Sequence, residues 1–149
     1  MEKNKREDEL RRINIELRLL EQTAEAIQSR IDMINAVITD LTYANMALEG
    51  LEKEKENSEL LVPIGGNSFI KAKLENPDKL IVGMGAGISV EKTMQEAKEI
   101  IKRRLDNTEK TRQSLQQQLA QVAEKISEDR ERFESLVAEM RKEQPSQNV

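Results

Sequence analysis

The stretch KLIVGMGAGISVEKTMQEAKEI, Lys79 to Ile100, sets Gly83, Gly85 and Gly87 between an apolar run and a helix-forming run. Strand, glycine loop, helix is the order in which a chain cradles phosphate. Glycine lets backbone N–H groups close on the ligand, and a helix N-terminus favours its charge. The spacing does not fit that chemistry. A dinucleotide loop needs G-x-G-x-x-G running straight into the helix, and here Ile88 stands where the third glycine should be. Ile88-Ser89-Val90 favours strand over helix. The Gly-Lys-Ser/Thr triplet of a phosphate loop is absent from the sequence. The stretch reads instead as a hairpin turn, with the three glycines supplying positive φ.

Other chemistries are closed by composition. The chain has no His and no Cys, which removes the imidazole base, the thiolate nucleophile and the nitrogen/sulfur zinc site. Its carboxylates fall on the solvated faces of predicted helices, and a general acid/base pair would need a cleft. No catalytic residue, cofactor or metal is expected. Lys and Arg number 24 against 28 Asp and Glu, a net charge of −4 that gives no reason to expect nucleic acid. The opening MEKNKREDEL lacks the apolar core of a signal peptide. No apolar run approaches the roughly 18 residues that span a bilayer. The expectation is a soluble, cytoplasmic, non-enzymatic protein without a membrane partner.

The elements that flank the glycines are long. From Leu10 the apolar residues alternate steps of three and four: Leu10, Ile13, Leu17, Leu20, Ala24, Ile27, Ile31, Ile34, Ile38, Leu41, Asn45, Leu48. Only Asn45 breaks this seam, which predicts a coiled-coil helix over 5–56. A second seam begins at Ile101 and passes Leu105, Leu115, Leu119, Val122, Ile126, Phe133, Leu136 and Met140, with Thr108, Arg112 and Asp129 as polar members. Buried polar members cost stability and can fix register. Thr93, three residues before Glu96, forms a capping box that starts this helix at Met94. It is expected over 94–143, followed by a loose tail over 144–149. Each helix would be roughly 75 Å long. Helices of nearly equal length can pair antiparallel if the chain turns back between them.

The segment 58–92 between the helices reads as two hairpins, Leu60–Leu74 and Leu80–Glu91. Gly65-Gly66-Asn67 and Asn76-Pro77-Asp78-Lys79 are turn chemistry. Pro63 cannot donate to a ladder, so its strand lies at an edge or a bulge. A lone two-stranded hairpin is marginal in water, and four short strands cannot enclose a core. Strands from other subunits are therefore expected to complete a sheet or barrel. The apolar residues available for that are Leu61, Val62, Ile64, Phe69 and Ile70, with Leu80, Ile81, Val82, Ile88 and Val90.

In LLVPIGGNSFIKAKL and LIVGMGAGISVEKT, each beside a heptad helix, the chain resembles the α-type subunits of archaeal prefoldin. The four-strand middle matches the α type, since β-type subunits carry one hairpin. The fold that the resemblance implies is mostly α with a small β region. A long antiparallel two-helix coiled coil is joined by two β-hairpins that form part of an oligomeric β-barrel platform. It also implies a hexamer of two α and four prefoldin β subunits, so the partners are β subunits and a second α subunit. Unfolded polypeptide clients are held at the distal ends of the coiled coils without ATP and passed to a group II chaperonin.

In an antiparallel pair the termini meet at one end. Ile15 and Leu19 lie there off the seam of the first helix, and Val137 off the seam of the second. Leu10, Ile13, Phe133, Leu136 and Met140 form the last seam layers, where fraying exposes apolar surface. These eight are the candidate client-binding residues. A structural spacer, in which the same residues only close the coiled coil, stays open as the alternative.

Overall fold

The computed structural model describes residues 1–143; the tail expected over 144–149 lies outside them. Elements run α1 (Glu2–Glu52), β1 (Glu59–Gly65), β2 (Ser68–Lys73), β3 (Leu80–Gly85), β4 (Ile88–Lys92) and α2 (Met94–Glu143). The chain is mostly α, with two separate antiparallel hairpins, β1–β2 and β3–β4. Two compact units result, one from Met1–Asn35 with the part of α2 from Thr111 onward, the other from Ala36–Lys110. Each helix contributes to both.

In the first unit the helices are antiparallel. Arg6 pairs with Glu139 and Glu143, Glu9 with Arg132, Glu16 with Lys125 and Glu21 with Arg130, so numbers that rise along α1 fall along α2. Asn35 Oδ1 accepts from Arg112 at 3.1 Å. Exposed pairs of this kind contribute about 0.2–1 kcal/mol each; their use here is to select direction and register. The adhesion comes from the seam. Ile27, Ile31 and Leu115 are buried together, with Ile34, Leu119 and Val122 packed on them.

Every seam position read from the periodicity is buried or half-buried, the polar Asn45, Thr108, Arg112 and Asp129 included. Arg112 reaches Asn35, and Thr108 Oγ1 returns its proton to the Arg104 carbonyl at 2.6 Å. Asp129 is 4% exposed. One carboxylate oxygen accepts from Lys125 at 3.2 Å, and Oδ2 is buried without a hydrogen-bond partner. The Asp129 bond is the main cause that holds the Lys125 ammonium above its ordinary pKa, with the charges of Asp129 and Glu16 next.

In the second unit Leu41, Leu48, Val82, Met94, Ala97 and Ile101 form a buried cluster. The hairpin β3–β4 thus lays one face on the helices. Lys98 Nζ meets Glu52 at 2.6 Å, a hydrogen bond that raises the lysine pKa.

The helix α1 starts at Glu2 and stops at Glu52, where the periodicity alone gave 5–56. The reason for the early stop lies in the first hairpin. Asn57 takes φ 66°, and its N–H donates to the Leu74 carbonyl at 2.6 Å. Leu74 N–H donates to Ser58 O at 2.8 Å. The ladder of the first hairpin therefore extends below β1 and draws the chain out of the helix. Ser58 Oγ closes the turn on the backbone of Lys55. At the other junction Glu96 N–H donates to Thr93 Oγ1 at 3.2 Å and Met94 N–H to Asp78 Oδ1 at 3.1 Å. Two of the orphan donors of the α2 N-terminus are thereby satisfied.

Candidate interaction surfaces

The glycine loop is a turn. Gly85 pairs with Ile88, which leaves Ala86 and Gly87 as the two central residues at φ 52° and 75°. Gly65 pairs with Ser68 and leaves Gly66 and Asn67 at φ 55° and 59°. Positive φ at both central residues marks a type I′ turn, whose twist suits a hairpin. Gly65 at φ 98° and Gly85 at φ 99° complete a bulge, and Ile64 and Met84 have no partner across the ladder. The two hairpins are thus one device used twice, twenty residues apart in number. The reading of Gly83 needs correction. It is not at positive φ; it pairs with Ser89 within the ladder, and its carbonyl accepts from Arg104 Nη2 at 2.6 Å. Ala86 holds the left-handed position that a glycine was expected to take.

Hairpin ladders fix which side chains share a face. In the first hairpin Leu60 lies opposite Ala72 and Val62 opposite Ile70, which makes one face wholly apolar. The other face sets Leu61 against Lys71 and Pro63 against Phe69. Neither face is covered: Leu61, Val62, Ile64, Phe69 and Ile70 are all exposed. In the second hairpin the equivalent apolar face carries Leu80, Val82 and Val90. Here Val82 is buried, and Leu80 packs against the helix cluster. Ile81, at 78% exposure the barest of the set, points away with Ile88 also exposed, and Val90 is at the margin of exposure. So two of the ten hairpin residues serve their own chain, and the first hairpin has no such support. Nothing in the residue pattern announces this difference, because the two hairpins have nearly the same pattern. An apolar groove of about 300 Å³ runs between α1 and β3, lined by Ala44, Ala47, Leu80, Ile81 and Val82, with Arg104 at its side.

In the first unit the eight terminal residues divide. Ile15 and Leu19 are exposed, at 62% and 58%. Leu10, Phe133, Leu136, Val137 and Met140 are half-buried. Ile13 is 5% exposed and belongs to the seam. Ion pairs from Arg6 and Arg132 bracket this end. Among the described residues no group of His, Cys, Asp and Glu could hold a metal ion, and no helix is long and apolar enough to cross a membrane.

Comparison with known proteins agrees with this architecture. The profile of the prefoldin subunit family matches residues 20–139. Prefoldin subunit alpha of Methanococcoides burtonii is 32% identical over 81% of this chain and 88% of its own length. That of Methanosarcina barkeri is 31% identical over 95% of this chain and 96% of its own. A putative prefoldin subunit alpha of Aquifex aeolicus is 34% identical over 82% of each. A chain of the cryo-EM structure of filamentous PFD from Methanocaldococcus jannaschii superposes with a TM-score of 0.65 at 28% identity, covering 75% of this chain and 93% of that one. A family profile over most of the chain, relatives above 30% identity over four fifths of it and two bulged hairpins between long helices have one common reading: the chain belongs to the prefoldin α subunit family, and with it to the non-catalytic co-chaperones.

Proposed function

We propose that this chain is the α subunit of a cytoplasmic hetero-hexamer of two α and four β subunits. In this reading the hairpins build a shared β-barrel platform. The terminal ends of the helices hold unfolded polypeptide without ATP and pass it to a group II chaperonin. The observation that carries the assembly is the bare first hairpin, wholly apolar on one face, with Leu61, Pro63 and Phe69 on the other, and its large apolar side chains exposed. Contiguous exposed apolar surface of this kind marks an interaction site, and open edges call for further strands.

Client holding is supported by Ile15 and Leu19, two large apolar side chains one turn apart on an otherwise charged helix end. Half-buried Phe133, Leu136, Val137 and Met140 lie in the terminal part of α2 in the same unit. Flexible methionine and frayed aliphatic layers can accept many sequences with low specificity. The test is to mix the chain with a β-type subunit, read the native mass, and follow light scattering of a denatured client without nucleotide. An α2β4 mass with suppressed scattering is expected. A monomer, or scattering unchanged by the assembled complex, would refute the reading.

A further inference from the structure

In the second unit the two helices differ in what they show to solvent. Val37, Tyr43 and Met46 of α1 are exposed large apolar side chains, and among the described residues α2 has none. From Ala36 to Leu48 the only charged residue is Asp40, in a chain that is 35% charged. Tyr43, at 66% exposure, is the only tyrosine of the chain. Val37, Asp40, Tyr43 and Met46 follow one another at steps of three, so they form one contiguous strip. Ala47 and Gly50, both exposed, broaden it. Tyr43 and Met46 lie opposite Leu41 and Leu48, which face Ala97 and Ile101 of α2, while Val37 flanks the seam beside Ile38. A helix that is apolar on its outer as well as its inner face is normally covered on both.

The charges say what covers it. From Ala36 to Glu52 the helix has Asp40, Glu49 and Glu52 and no Lys or Arg. Glu52 is neutralised by Lys98. Glu49 accepts from the Asn45 amide at 3.3 Å, and its charge also acts on Lys98. Asp40 makes no ion pair among the described residues. The strip is thus apolar with one acidic member, Asp40. A second copy of the same strip would bring acid against acid, which disfavours self-pairing.

We infer that Ala36–Gly50 of α1 is a second client-docking strip, fitted to unfolded segments in which apolar residues are flanked by Lys or Arg. The inference rests on the client-holding function proposed above and adds a site separate from the terminal residues. Apolar contact to Tyr43, Met46 and Val37 supplies affinity, and Asp40 supplies preference for basic over acidic segments.

The test uses the assembled complex with its β-type partner and two fluorescent peptides. Both have the same leucine- and phenylalanine-rich centre; one has lysine flanks and the other aspartate flanks. Anisotropy at low salt should show the lysine peptide binding about two- to fivefold tighter per engaged carboxylate. Asp40→Lys should narrow or invert that ratio. Tyr43→Ser with Met46→Ser should weaken both peptides several-fold while the native mass of the complex stays the same. These positions are exposed, so the variants keep the buried seam. An unchanged ratio in Asp40→Lys, or unchanged affinity in the double variant, overturns the inference. Loss of the hexamer mass in the double variant also overturns it, since the strip would then be a subunit contact. A wild-type complex that binds neither peptide and suppresses no aggregation would refute the client-holding function itself.

Discussion

Replacing Asp129 by Leu should stabilise the helix pair, although it removes a carboxylate that makes a hydrogen bond. The side chain sits in the seam at 4% exposure, with Oδ2 buried and unpartnered. An unsatisfied buried acceptor costs about 1–3 kcal/mol, more when charged. Against that stands the Lys125 contact at 3.2 Å, whose lysine side chain is 47% exposed. A half-exposed pair contributes about 0.2–1 kcal/mol, and Lys125 keeps Glu16 as a partner at 3.8 Å after the change. Leucine in a seam position adds apolar burial of about 1.5–3 kcal/mol where it fits. After allowance for imperfect packing the balance favours Asp129→Leu by about 1–3 kcal/mol. Hydrogen exchange of α2 amides between Leu119 and Phe133 in the assembled complex measures it directly. Slowing by about 5- to 150-fold corresponds to that range. Asp129→Asn, which removes charge but leaves a buried polar group, should gain less. Faster exchange in Asp129→Leu would show that Asp129 stabilises the seam on balance and would refute the reasoning.

Two further predictions concern the second unit. Ala86 stands at φ 52° in a type I′ turn, a conformation that costs an L-residue about 1–2 kcal/mol; with about 0.5–1 kcal/mol lost to glycine's entropy, Ala86→Gly should slow exchange of the β3–β4 amides by about threefold to fivefold. Faster exchange would argue that the turn gains nothing from glycine. The folded-state pKa of Lys98 is raised, chiefly by its hydrogen bond to Glu52. A raised lysine contributes stability that is complete below the unfolded value near 10.4 and is lost as pH rises through the folded one. Thermal stability should therefore fall above about pH 10.4, and Lys98→Met should flatten that part of the decline; an identical alkaline profile in the variant would exclude this pair as a contributor.

The helices were legible because their information is periodic. Seam residues from Leu10 to Leu48 and from Ile101 to Met140 repeat at the spacing that packing demands, and each is at least half-buried. Turn chemistry was also legible: Asn76 Oδ1 accepts from Asp78 N–H at 2.9 Å, as an Asn-Pro-Asp turn allows. What could not be read was three-dimensional choice between similar patterns. Leu80 and Val82 look like Leu60 and Val62 in sequence, yet only the former pair finds Leu41, Leu48 and Ala97 beneath it. The early end of α1 depends on the Asn57–Leu74 hydrogen bond, between residues far apart in the chain. Glu128 and Arg132 stand four residues apart, the spacing of an ion pair along one helix, yet Arg132 pairs with Glu9 of α1. The Val37–Tyr43–Met46 strip was present in the sequence but hidden by the stronger seam of the same helix.

The central claim is that the helix ends carrying the termini hold unfolded polypeptide while the hairpins hold the complex together. The most direct measurement compares light scattering of a denatured client with the full complex and with one whose chains lack residues 1–15 and 134–149, both in the absence of nucleotide. The account predicts that the trimmed chain still assembles to the same subunit composition and that suppression of aggregation is largely lost. Undiminished suppression by the trimmed, assembled complex would contradict it.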